Sequence, residues 1–109
     1  MANAPNAKNR IEELGKELPE VVGAFFGLHE AVTQAGALDR KTKRLIMVGI
    51  AVKERCEACI RAHVTAALEE GATRAEILEA ASAAILMGGG PAAATTATVL
   101  VDLLDELGA

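Results

Sequence analysis

Apolar residues gather in runs separated by glycines, prolines and capping residues, and no stretch alternates strictly between apolar and polar. The pattern predicts helices and no strands. A short first helix is expected over about residues 10–17. Pro19 suits the first turn of a second, because the N–H it lacks would be unpaired there anyway. That helix carries Val21, Val22, Phe25, Phe26, Leu28 and Val32, and Gly36 should stop it. Asp39 is placed to cap a third helix, in which Leu45, Ile46, Met47, Val48, Ile50, Ala51 and Val52 are nearly continuous. A helix apolar all round is expected to be buried. No Gly or Pro separates it from Cys56, so a break near residues 53–55 and an uninterrupted helix both stay open. A fourth helix runs through the cysteines to Glu70 and ends at Gly71. Thr73, with Glu76 three residues on, has capping-box spacing and opens a fifth. Gly88 to Gly90 end that helix after Met87, and Pro91 starts the last, which should reach about Leu107. There is no internal repeat. The expected fold is all-α: a single-domain bundle of about six helices over residues 10–109, after a flexible N-terminus over residues 1–9.

The 109 residues are the length of one ordinary domain. Hydrophobic residues make up 51% and aromatics only 2%, so the apolar mass is Ala, Val, Leu and Ile. Small side chains let helices approach closely but give each residue little area to bury, which points to self-association. The net charge is −4, and no Lys/Arg stripe or aromatic platform marks nucleic acid as a partner. No basic segment followed by an apolar stretch marks a secretory signal at the N-terminus. The weakly polar stretch 80–101 is interrupted by Gly88-Gly89-Gly90-Pro91 and holds Ser82 and three threonines. A membrane span takes about 20 continuous apolar residues, so this stretch reads as two buried helices. A cytoplasmic protein with no membrane partner is the expectation. Cytosolic reducing pools keep thiols open, which makes chemistry rather than stapling the leading reading of the two cysteines.

Those cysteines lie in the run Glu54-Arg55-Cys56-Glu57-Ala58-Cys59-Ile60-Arg61-Ala62-His63. Residues three and four apart are neighbours on a helix surface. Cys56, Cys59 and His63 therefore share one stripe, while Glu57 and Arg61 point elsewhere. Two thiols on adjacent turns can close into a disulfide, and the thiolate is the reactive form. An imidazole one turn from Cys59 can take its proton or stabilise the anion. At a helix N-terminus, Cys56 would gain further thiolate stabilisation from unpaired N–H groups. The chemistry this allows is thiolate attack on a peroxide, a sulfenic acid, then condensation with the second thiol. It calls for no cofactor and no metal. Metal binding by Cys56, Cys59 and His63 is a second reading, although structural zinc takes four ligands and catalytic zinc three plus water. No second Cys/His pair exists, and His29 is distant in sequence. Two small buried residues beside a core histidine form a third.

The chain resembles the alkylhydroperoxidase D-like branch of the carboxymuconolactone decarboxylase family. The likeness rests on Leu38-Asp39-Arg40-Lys41-Thr42-Lys43, the apolar run from Leu45 to Val52, Cys56-x-x-Cys59-x-x-x-His63, Gly71-Ala72-Thr73 and Met87-Gly88-Gly89-Gly90-Pro91-Ala92, across roughly residues 19 to 94. It implies a helical fold assembled as a homo-oligomer, trimer or hexamer. It also implies reduction of a small hydroperoxide through a cysteine pair that an external dithiol reductant or carrier protein restores. In that pattern Cys59 attacks, Cys56 resolves and His63 assists proton transfer. Helix-end electrostatics alone would favour Cys56 as attacker; Cys59 has the helical spacing to His63. The pattern also places a glutamate relay twelve residues before the first cysteine, where this chain has Arg44. A guanidinium stays protonated and cannot serve as a base. Glu30, brought by the second helix, is the candidate replacement; Glu54 is a weaker one, expected to point away, and His29 is expected to be structural or exposed. The alternatives in function are a redox-sensing or assembly module without turnover, and a decarboxylase-type lyase, for which paired cysteines are not needed.

Overall fold

The computed structural model describes residues 7–109, with side chains from Arg10 onward. Residues 1–6 of the expected flexible segment lie outside the described residues. Residues 7–9 already belong to α1, Ala7–Glu17, so this helix starts three residues earlier than the pattern suggested. The others follow as α2, Pro19–Thr33; α3, Arg40–Glu54; α4, Glu57–Glu69; and α5, Arg74–Gly88. The sixth, α6, is one continuous rod made of Gly90–Thr95, a π-helical turn Thr96–Leu100, and Val101–Glu106. No strand occurs among the described residues. The fold is all-α.

Local chemistry sets most boundaries. Pro19 stands in the first turn of α2. The helix ends at Thr33, before Gly36, because Lys43 reaches back and donates from Nζ to the carbonyls of Val32 (3.0 Å) and Gln34 (2.6 Å). A cation on the last carbonyls satisfies both the orphan acceptors and the helix dipole. Asp39 caps α3 by accepting from the Thr42 N–H at 2.7 Å. Thr73 and Glu76 form the full capping box of α5, with reciprocal bonds of 3.1 and 2.9 Å. The π-turn in α6 had no signal in the apolar pattern. There Thr96 Oγ1 bonds the Ala92 carbonyl at 2.9 Å and Thr98 Oγ1 the Ala94 carbonyl at 2.7 Å. Such back-bonding competes with the regular ladder, and the Val101 N–H accordingly reaches five residues back to the Thr96 carbonyl.

The core lies where α3 is packed between α4 and α5, with α6 closing one side. Val48 and Val52, Ile60 and Val64, Ile77, Leu100 and Leu104 are wholly buried. Each contributes about 1.5–3 kcal/mol by leaving water. Between them sit Ala51, Ala67, Ala81, Ala84 and Ala92, also buried. Gly49 lets α3 and α5 come close: a Cβ there would lie 3.2 Å from the Ala80 carbonyl oxygen. One expectation needs correcting. The nearly continuous apolar run of α3 is not buried all round, since Ile46 and Ile50 are exposed. Only Val48, Ala51 and Val52 of this helix are fully enclosed, because α4 and α5 cover two sides and the third opens to a groove.

Candidate active site

The site begins at the end of α3. Arg55 adopts the left-handed conformation (φ 56°, ψ 37°), the only non-glycine residue with positive φ among those described. Its N–H bonds the Val52 carbonyl at 3.0 Å, and the next N–H, of Cys56, bonds that of Ala51 at 3.2 Å. This pair of bonds is the Schellman arrangement that closes a helix C-terminus. The break left open by the sequence therefore falls at Arg55. It turns the chain so that Cys56 becomes the N-cap of α4, with Cys59 and His63 on the following turns.

Cys56 and Cys59 are joined in a disulfide, with Cα atoms 5.2 Å apart. The Cys59 N–H points at Cys56 Sγ at 3.2 Å. A helix N-terminus with an N–H directed at sulfur favours the thiolate once the bridge is reduced. Cys59 is half-buried against the core. Both sulfurs line an apolar cavity of about 200 Å³ with Met47, Ile50, Ala51, Glu54 and His63. A larger groove of about 560 Å³ runs along α3 and α5, past Leu45, Ile46, Gly49, Ala80 and Met87. Ile50 and Glu54 border both.

His63 is half-buried, and its Nδ1 is enclosed with no hydrogen-bond partner among the described residues. Burial pushes its pKa below the ordinary 6.5; the Arg44 charge and then His29 push it further. His29 lies nearly parallel to it, with ring centroids 6.3 Å apart and planes 15° from coplanar. Arg44 Nη1 is 3.3 Å from His29 Nε2. A guanidinium only donates, so the contact makes His29 Nε2 the acceptor and leaves any proton of the neutral ring on Nδ1. The His29 pKa is lowered as well, by burial first and then by Arg44, against an opposing effect of Glu30.

Cys56, Cys59 and His63 are thus brought together, and the two carboxylates exchange places relative to expectation. Glu30 is exposed and is not among the residues lining the cavity beside the disulfide; its Oε1 accepts from Gln34 Nε2 at 3.2 Å. Glu54, expected to point away, lines that cavity, because the turn at Arg55 folds the end of α3 over the start of α4. His29, expected to be structural or exposed, stands against His63. Nothing local in sequence could have paired it with a residue 34 positions away. Arg61 points off the site, as the spacing required, and forks onto Glu106 at 3.0 and 3.4 Å. Among the described residues no group of three or more His, Cys, Asp or Glu is arranged to hold a metal ion. No helix there is long and apolar enough to cross a membrane.

Comparison with known proteins gives the same frame. In sequence, the chain is 40% identical over 76 residues to uncharacterized protein 4 of the cox locus of Paracoccus denitrificans, a match covering 70% of this chain and 68% of that protein. It is 41% identical over 58 residues to an uncharacterized protein of Haemophilus influenzae, covering 53% and 51%. In structure it is similar to a carboxymuconolactone decarboxylase family protein from Legionella pneumophila in its apo form, with a TM-score of 0.85, 36% identity and coverage of 94% and 91%. It is also similar to a family protein from Thermotoga maritima with a suggested part in the antioxidative response, at a TM-score of 0.73, 34% identity and coverage of 90% and 89%. Residues 19–102 match the sequence profile of the carboxymuconolactone decarboxylase family, and the chain, with the Cys56-x-x-Cys59-x-x-x-His63 motif of the alkylhydroperoxidase D-like branch, belongs to that family.

Proposed function

We propose that this protein is a thiol-dependent peroxidase and disulfide oxidoreductase, in which Cys56 and Cys59 cycle between dithiol and disulfide with His63 moving protons. The observation that carries the reading is the Cys56–Cys59 bridge at the N-terminus of α4, opening on an apolar cavity that His63 also lines. Family membership and the Thermotoga maritima neighbour's suggested antioxidative role support it. In the reduced state the Cys59 thiolate attacks a hydroperoxide. An S–O bond forms as the O–O bond breaks, sulfur is oxidised to sulfenic acid, and the alkoxide leaves as alcohol after taking a proton. Cys56 sulfur then attacks the sulfenic sulfur, closing the S–S bond and expelling water. An external dithiol or carrier protein returns the pair to thiols and becomes a disulfide itself. The cytoplasm, where such reductants keep thiols open, is the compartment this cycle fits. A homo-oligomer, trimer or hexamer, is part of the proposal, supported by the apolar side chains left outside the core.

The test is consumption of an organic hydroperoxide by the purified full-length chain with a dithiol reductant. Wild type should turn over many times. Cys59→Ser should lose turnover, and Cys56→Ser, pre-reduced and freed of the dithiol, should consume one equivalent and stop at the sulfenic acid. His63→Gln should slow the reaction about 10²–10⁴-fold, the usual weight of a positioned proton-transfer group. Retained turnover in Cys59→Ser refutes the reading. A wild-type protein that consumes a single equivalent and stays oxidised would mark a sensor without turnover.

A further inference from the structure

No carboxylate of the usual relay stands in this chain at position 44, yet the site contains a histidine and an arginine that the dithiol cycle leaves without a task. We propose that Arg44 and His29 form a positioning pair for His63: the guanidinium fixes the second imidazole parallel to His63, and together they keep His63 an uncharged acceptor for the thiol proton.

Geometry carries the assignment. Arg44 comes from the first half of α3 and His29 from α2, and the two meet at 3.3 Å. Because the donor is the guanidinium, His29 presents a lone pair at Nε2, which fixes its tautomer and orientation. The ring so held lies nearly parallel to His63 on α4. His63 Nδ1 is enclosed without a partner, so a charged ring gains no hydrogen bond there, and an imidazolium would stand near the fixed Arg44 cation. Both effects oppose the imidazolium. Their direction agrees with the lowered His63 pKa, for which burial ranks first, Arg44 second and His29 third. Other ionisable groups nearby are Glu30, which acts on His29 from the solvent side, Glu54 on the cavity wall, and the two sulfurs. Helix α1 and the π-turn of α6 also pack on α4 but contribute no charge to that lowering. A neutral His63 can take the thiol proton at ordinary pH and is not already occupied by one.

The inference rests on the dithiol reading but is tested without turnover. The His63 ring protons of the oxidised full-length chain are followed by NMR across pH, in wild type, Arg44→Gln and Arg44→Lys. Wild-type His63 should titrate below 6.5. In Arg44→Gln the midpoint should rise as the cation is lost, whereas Arg44→Lys, which keeps the charge, should stay closer to wild type. A folded Arg44→Gln protein with an unmoved midpoint overturns the proposal. If Arg44→Gln does not fold, His29→Gln takes its place: an unmoved His63 midpoint in that folded variant overturns the proposal, as does a wild-type midpoint at or above 6.5. Loss of hydroperoxide turnover together with the expected shift would remove the peroxidase reading and leave the pair standing.

Discussion

At His63, burial and a neighbouring guanidinium act in one direction, and the consequence extends from chemistry to stability. His29 and His63 both have folded pKa values below 6.5. The unfolded chain therefore binds more protons than the folded one as the pH drops through that value. Stability rises with pH wherever the unfolded state holds the extra protons. The contribution is complete above 6.5 and is lost as the pH falls towards the folded midpoints. With the disulfide intact the thiols do not titrate, and most carboxylates titrate well below this range. The thermal midpoint should thus be flat above about pH 7 and decline below 6.5, with a shallower decline in His63→Gln. Equal declines in the two proteins would show that His63 is not the group involved. The same pair marks how far the site was legible. Cys56, Cys59 and His63 could be grouped from spacing, because a single helix turn relates them. The contact of Arg44 with His29, and of His29 with His63, depends on how α2 lies across α3 and α4, which local periodicity does not encode.

At the scale of elements, every helix left a trace in the sequence, and the boundaries were legible where a side chain makes them. Asp39, Thr73 and Pro19 stand at the helix starts they mark. The break between α3 and α4 was not legible, because the residue that makes it is an arginine where glycine is usual. A non-glycine residue in the left-handed region costs about 1–2 kcal/mol, and glycine's greater freedom in the unfolded chain returns about 0.5–1 of that. Arg55→Gly should therefore stabilise the protein by about 0.5–1 kcal/mol. The urea midpoint should rise with an unchanged slope, since a changed slope would point to altered compactness. The opposite change tests the other end of the bundle. Thr73→Ala removes one half of the α5 capping box, and the urea midpoint should report a loss of about 1 kcal/mol. An unchanged midpoint would mean that water replaces the cap at no cost. The π-turn in α6 left no readable trace, since the threonines that drive it also occur in ordinary helices.

The whole molecule leaves much of its apolar surface outside the core. Along α2, Val21, Phe25, Leu28 and Val32 recur at helical spacing, and all are exposed, Val21 and Leu28 by 63% and 62%. Ile46 and Ile50 on α3 and Leu86 and Met87 on α5 are exposed too, Leu86 by 83%. Scattered apolar residues on a surface are ordinary, but a contiguous helical row marks a contact. Composition had indicated the shortfall, since Ala-rich helices bury little area each. It could not say which faces would be left, because the run of α3 read as a helix buried all round and α2 carried no mark of which side would face the core. Burying these residues against further copies is the solution the proposed homo-oligomer requires. Leu28→Glu places a charge in the middle of the α2 row, where a desolvated carboxylate without a partner is costly. Because Leu28 is exposed in the protomer, the substitution should leave the helical content intact. In sedimentation equilibrium, wild type should run as a trimer or hexamer and Leu28→Glu as a smaller species. If both run as trimers or hexamers, the α2 row is not the contact. If wild type itself runs as a monomer, the homo-oligomer is wrong, and the apolar row must meet some other partner.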